Sequence, residues 1–311
     1  MQAKTHWWAI VLGGLGLLAS LVAGCEKRYS QETPEKVLET AQRMVADGNA
    51  ARLTDLIYAD TPELRRFLKQ MGVVMGSLQT LGEEVTKAFP KEIEKLRTEA
   101  EAAAAKGEAS SFVSRMAGMA QQGAGGPGGM RAVRGQRNPR TPAPNPDEMS
   151  EQFNLAMKDL FADPYGWLSR EKQRLTVQQV ADDRAALLWD GKPVLGVGLT
   201  MQLEGGKWYI VLPTGAPGVG QIIPKSEDGW KILGSLMKTM NNMLVDLTKD
   251  VRTKKVRRMD ELAQVAGEKA FIPAVMVFFA YGKAMDEERK ERQATRAPRP
   301  EASPAASTPK P

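Results

Sequence analysis

Apolar residues recur at three- and four-residue spacing over most of the chain and alternate with polar ones only between residues 175 and 212. That pattern predicts a mostly helical α+β fold with one small antiparallel sheet. Thr33-Pro34-Glu35 is a helix start: a capping hydroxyl, a proline in the first turn and an early acid. Val37, Leu38, Ala41, Met44 and Val45 follow on one face. Gly48 is placed to stop that helix and Asn49 to begin another carrying Leu53, Leu56 and Ile57. The start signal repeats at Thr61-Pro62-Glu63 and opens a long stripe from Leu64, Phe67 and Leu68 to Leu81 and Val85. Gly72, Gly76 and Gly82 sit in this helix at about 1 kcal/mol each against Ala, and are expected to let a neighbouring helix come close. Further helices are expected from Pro90 through Ala105 and from about Glu148 to Phe161. Two more follow, Trp230 to Val251 and Met259 to Gln293, the second expected to kink or split at Pro273.

Four strand-like runs lie between these helices: Leu175 to Val180, Arg184 to Trp189, Val194 to Leu203 and Lys207 to Leu212. Asp190-Gly191 and Glu204-Gly205-Gly206 are hairpin turn signals, and Gly196 and Gly198 mark the third run for a bulge. A four-stranded antiparallel meander must bury one face, and several helices are expected to cover it. Trp208 and Tyr209, in the last strand, are candidate packing or pocket-lining residues.

The first 25 residues change the picture. Lys4 provides a short positive region, and Trp7 to Ala23 is a 17-residue stretch without charge. It is long for a signal-peptide core and short of the roughly 20 residues of a spanning helix. It ends in Val22-Ala23-Gly24-Cys25, which resembles the lipobox of bacterial lipoproteins, with Val22 where the family more often has Leu. The resemblance implies that Cys25 is diacylated through its sulfur and becomes the first mature residue. The protein would then face the periplasm of a bacterial envelope, anchored by its lipid. The resemblance also implies that Glu26, which is not Asp, favours the outer membrane over the inner. An uncleaved anchor with an incidental cysteine is the plainer reading of the same stretch.

The organisation that follows is a signal peptide over 1–24, a lipidated Cys25 and tether over 25–32, and a helical region over 33–122. Residues 123–147 are rich in Gly, Pro and Arg and lose all apolar period, so they either separate two domains or interrupt one. Residues 148–293 carry a helix, the sheet and the C-terminal helices, and 294–311 is a Pro/Ala/Ser-rich tail expected to be disordered.

Composition narrows the chemistry. Apolar residues make up 42% and charged residues 26% of the 311, enough for a folded core. The one histidine is His6 and the one cysteine is Cys25, both within or beside the leader. The mature chain therefore offers no Ser-His or Cys-His pair and no His-rich metal site, and neither a metal nor a cofactor is expected. The acid pairs Glu83-Glu84 and Asp182-Asp183 and the run Asp286-Glu287-Glu288 read as solvated charge. The net charge is +6, and Arg131, Arg134, Arg137 and Arg140 recur every third residue in the linker. In an extended polyproline segment that spacing aligns them on one side, a candidate surface for anionic headgroups or an acidic envelope polymer. Arg252, Lys254, Lys255, Arg257 and Arg258 form a second basic cluster, placed to complement a helix C-terminus. An exported, anchored chain is not expected to meet nucleic acid.

The Thr-Pro-Glu helix start followed later by Gly205-Gly206-Lys207-Trp208-Tyr209-Ile210 resembles the NTF2-like (cystatin-like α+β) domains of small bacterial lipoproteins. The matching pieces are residues 33–58 and 175–212, and the chain departs from the pattern in the long helical stretch between them and the helices after the sheet. The leading expectation is a non-enzymatic binding or interaction module, tied to the membrane through Cys25 and serving an envelope protein partner. The alternative is a small-ligand pocket of NTF2-like type between the sheet and the first helices. An enzyme using a lone pocket carboxylate ranks third.

Overall fold

A computed structural model of the chain describes residues 29–106, 158–194, 198–213 and 223–296. Cys25 with its leader, Arg131, Arg134, Arg137 and Arg140, most of the expected helix before Phe161, and residues 297–311 lie outside the described residues. The architecture is α+β, with helices packed on an antiparallel sheet, as the spacing predicts.

The first helix, α1, spans Pro34–Ala46. Thr33 caps it, its hydroxyl oxygen accepting from the Lys36 amide at 3.3 Å. It ends in a Schellman motif: Gly48, at φ +75°, donates to the Val45 carbonyl, and Asn49 donates to that of Met44 at 2.7 Å. The expected second helix is instead a 3-10 turn, Ala50–Leu56. Gln79 fixes the joint from the next helix, its Oε1 accepting from Ala50 N and its Nε2 donating to the Val45 carbonyl, both at 2.8 Å.

Helix α2, Pro62–Ala88, is capped by Thr61 and spans about 40 Å. Helix α3, Pro90–Ala105, buries only Ile93. After a helical stretch at 158–162 and a short turn at Trp167–Arg170 comes the sheet. Its strands are β1 (Leu175–Ala181), β2 (Arg184–Trp189), β3 (Lys192–Pro193), β4 (Leu199–Glu204) and β5 (Lys207–Val211), in order β1-β2-β4-β5. The third expected run starts two residues earlier and is broken. β3 pairs with the end of β2 and β4 with its start, so the two pieces share one edge of β2. Gly198, at φ +77°, stands just before β4 resumes, a conformation open to glycine at little cost. Asp190 and Gly191, at φ 50° and 71°, form a type I′ hairpin turn, and Gly205 and Gly206 form another.

Helix α4, Glu227–Arg252, and helix α5, Met259–Arg296, complete the chain. Helix α5 runs unbroken through Pro273, so the helix is not split there. Proline removes one backbone hydrogen bond, and the helix on either side is long enough to continue past the gap. Helices α2 and α4 run parallel. Phe67 meets Trp230, Ser77 donates to Asn241 Oδ1 at 2.6 Å, and Glu84 pairs with Arg252. The glycines of α2 admit a close approach, Gly72 and Gly76 by the short 3-10 segment and Gly82 by the chain at Pro164. A Cβ on Gly72 would strike the Ala51 carbonyl oxygen of the 3-10 turn, and one on Gly82 would meet Pro164.

Two apolar layers result. Helix α1 and the 3-10 turn cover one face of the sheet, where Val37, Met44, Leu56, Leu187, Met201 and Trp208 pack together. The helical layer has its own core of Leu81, Val85, Ile93, Phe161, Leu247 and Leu262, drawn from α2, α3, α4, α5 and the 158–162 stretch. Tyr165 and Leu168 join the two beneath Ala50, and the Tyr165 hydroxyl donates to the Met75 carbonyl at 2.7 Å.

Candidate functional site

Period two along β5 sends adjacent residues to opposite faces. Trp208 turns inward and is 4% exposed, packed with Val37 and Met44 of α1. The space between α1 and the sheet is thus filled by side chains. Tyr209 turns the other way and lines a cleft of about 700 Å³ between the β4–β5 end of the sheet, the 3-10 turn and the first half of α2. A volume of this size is within the usual range for small-ligand sites.

The walls follow from local structure. The chain leaving the 3-10 turn runs beside the outer edge of β5, with Ile57 bridged to Ile210 and Tyr58 N donating to the Ile210 carbonyl at 2.8 Å. This pairing holds Tyr58 against Tyr209, with ring centroids 6.3 Å apart and planes at 59°. The opposite wall is one face of α2, where Arg65, Leu68, Lys69, Gly72 and Val73 follow at helical spacing. The bare Gly72 lets the 3-10 turn seat against α2 and closes that end of the cleft.

The charges of the cleft are unequal in their commitments. Asp55 is held by Arg52 at 3.1 Å, and the Arg52 guanidinium also lies over the Tyr29 ring. Arg65 and Lys69 have no ion pair and no side-chain hydrogen bond among the described residues, and both are exposed. Glu204, beside the β4–β5 turn, likewise has no ion partner among the described residues. Among the described residues the cleft therefore offers two cations on the α2 wall and a carboxylate beside the β4–β5 turn, none of them ion-paired, together with two phenol rings.

A second cavity of about 340 Å³ lies between the later turns of α2 and residues 162–165, lined by Gln79, Glu83, Lys87 and Tyr165. Several of its groups are committed, although Glu83 and Arg97 have no ion pair among the described residues. Burial pushes the Tyr165 hydroxyl above the usual phenol range, and Lys87 is tied to Glu84 at 2.9 Å. Hydrogen bonds from Lys87 and Arg252 hold the Glu84 carboxyl below the usual range.

The other charged features settle into the scaffold. Arg174 stacks over the Trp189 ring and forks onto Asp190, whose carboxyl those hydrogen bonds hold low. Asp182 and Asp183 form the β1–β2 turn. In the basic cluster, Arg252 pairs with Glu84, Lys255 with Asp250 and Arg258 with Asp260. Among the described residues no group of acids, histidines or cysteines is arranged to hold a metal ion, and no helix is long and apolar enough to cross a membrane.

Sequence reasoning marks Tyr209, with Trp208, as a packing or pocket-lining residue and does not single out Tyr58, Arg65, Lys69 or Glu204. A signal was available in α2: two cations four residues apart on the same face as Leu68 and Gly72. Comparison with protein-family models, with curated proteins and with solved structures gives no match.

Proposed function

We propose that the chain is a lipid-anchored, periplasm-facing binding module of a bacterial envelope, and that its cleft at Tyr58, Tyr209, Arg65 and Lys69 is where it binds. The anchor rests on Val22-Ala23-Gly24-Cys25 after an uncharged stretch. A lipid-tethered domain with a half-open cleft is suited to holding a ligand close to the membrane. The observation that carries the binding role is a pair of cations, uncommitted among the described residues, lining the same cleft as two aromatic rings. Exposed Lys and Arg on a structural helix are usually solvated or paired along it, as Arg66 is with Glu63. These two instead line a concave, partly apolar wall.

The module is read as non-enzymatic because its histidine and cysteine both lie at or before residue 25. A protein-docking face is the weaker reading. The exposed Met240 and Val245 of α4 lie about 140° apart around the helix axis and make no single stripe.

Native mass spectrometry of the full chain, extracted in detergent from its own host, tests the binding role. A bound mass of a few hundred daltons that is lost in Tyr209→Ala is the expected result. An unliganded wild-type chain would overturn it. For the anchor, Cys25→Ser should leave an unacylated, unprocessed precursor, and a normally sized, membrane-held product would overturn that part.

A further inference from the structure

The chemistry of the cleft walls narrows what it can hold. We infer that the cleft takes an anionic saccharide, a short run of sugar rings carrying carboxylate or phosphate groups. This rests on the reading of the cleft as the binding site.

Three features converge on that class. Arg65 and Lys69 are one helical turn apart, both uncommitted among the described residues, and together set two positive charges along the same wall. An arginine fork and an ammonium are complementary to carboxylate and phosphate oxygens. Tyr58 and Tyr209 are tilted at 59°. They do not form a parallel slot for a flat aromatic ring, and both contribute ring surface to the lining. The C–H face of a sugar ring packs on such a surface while its hydroxyls stay at the edges. The third feature is Glu204, beside the β4–β5 turn and also in the lining. A lone carboxylate there would repel a simple anion, but it is a strong acceptor for hydroxyl donors. A polyhydroxylated ring that carries an anion satisfies both the cations and the carboxylate. A purely apolar molecule satisfies neither, and a bare anion leaves Glu204 and the tyrosines unused. The cleft of about 700 Å³ has room for more than one sugar ring.

Calorimetry on the detergent-solubilised full chain tests the inference with trigalacturonic acid, glucose 6-phosphate, maltotriose and inorganic phosphate as probes. At least one of the two anionic sugars should bind tenfold or more tighter than both maltotriose and phosphate. Replacing Arg65 and Lys69 together by Gln, both exposed and without an ion pair among the described residues, should remove that preference and leave the melting temperature unchanged. Glu204→Gln should weaken the anionic sugar but strengthen or leave unchanged inorganic phosphate. Maltotriose binding as tightly as the anionic sugars would overturn the ligand class while leaving a binding cleft in place. Inorganic phosphate binding as tightly as glucose 6-phosphate, with no effect of Tyr209→Ala, would also overturn it and leave only a surface anion site. Binding of none of the four probes, in a chain that still carries a copurified mass lost in Tyr209→Ala, would reject the saccharide and keep the cleft. Failure of both would reject the cleft itself.

Discussion

Gly72 of α2 and Ala51 of the 3-10 turn are packed so closely that a Cβ on the glycine would collide with the Ala51 carbonyl oxygen and crowd the Thr54 hydroxyl. The obstacle is backbone, which cannot swing aside as a side chain could. Gly72→Ala therefore gains about 1 kcal/mol of helix propensity and loses more in overpacking, typically 1–3 kcal/mol. A net loss of up to about 2 kcal/mol is expected. Gly267, in α5, has nothing within 4 Å of its added Cβ. Gly267→Ala should therefore stabilise, by up to about 1 kcal/mol. Urea unfolding of the two variants separates the cases, and a stabilised Gly72→Ala would show that the contact is loose.

Trp208 and Tyr209 should differ as sharply as their faces do. Trp208 is part of the α1–sheet core, so Trp208→Ala is expected to cost about 3–5 kcal/mol and to unfold a large fraction of the protein on warming. Tyr209 is half-buried against Tyr58 at the edge of the cleft. Tyr209→Ala should cost no more than about 1–2 kcal/mol, the aromatic pair and a partial burial. Thermal melts followed by circular dichroism read both. Equal destabilisation would place Tyr209 in the core and remove it from the cleft.

Much of this fold is legible in the sequence because local rules decide it. Thr33 and Thr61 cap helices within a residue of where their hydroxyls predict, and both I′ turns form where Asp-Gly and Gly-Gly stand. What is not legible depends on partners distant in the chain. The residues after Asn49 form a 3-10 turn, seated on Gly72 and tied to Gln79, and no local pattern reports that contact. The break between β3 and β4 is set by which part of β2 each piece pairs with. The cleft illustrates the limit most plainly. Tyr58, Arg65 and Lys69 lie close in sequence, yet their meaning comes from Tyr209, about 150 residues later, which completes the opposite wall.

Asp250 ties the α4–α5 hairpin together. Lys269 Nζ lies 2.6 Å from its carboxylate and Lys255 Nζ 3.5 Å. The hydrogen bond from Lys269, opposed in part by desolvation, holds the Asp250 carboxyl below its usual range. A carboxylate with a depressed folded-state pKa adds stability above its unfolded value of about 3.9, and that stability is lost as pH falls through the lower folded value. The melting temperature of the wild type should fall below pH 4 in part through this residue. Asp250→Asn should melt lower than wild type at pH 7, with the gap closing toward pH 2–3. A gap that stays constant down to pH 2 would show that the loss at neutral pH is one of shape, with no part for charge.

The basic cluster after α4 contains a residue in a conformation that its side chain disfavours. Lys254 has φ +55° and stands at the position after the helix cap where glycine is usual. The surrounding hydrogen bonds are those of a Schellman motif: Lys254 N donates to the Val251 carbonyl at 3.0 Å and Lys255 N to that of Asp250 at 2.9 Å. Helix α1 ends in the same motif with Gly48 in the equivalent place. The left-handed conformation costs a non-glycine residue about 1–2 kcal/mol. Lys254 is exposed and has no ion pair among the described residues, so its side chain returns little of that cost. Lys254→Gly should stabilise by about 0.5–1 kcal/mol, the strain relief less the greater freedom of glycine in the unfolded chain. The reciprocal change, Gly48→Lys, should destabilise by a similar amount, since a Cβ there meets nothing within 4 Å and only the backbone angle opposes it. Opposite signs in the two urea titrations are the expected outcome. A destabilised Lys254→Gly would show that the Lys254 side chain supports the α4–α5 joint directly.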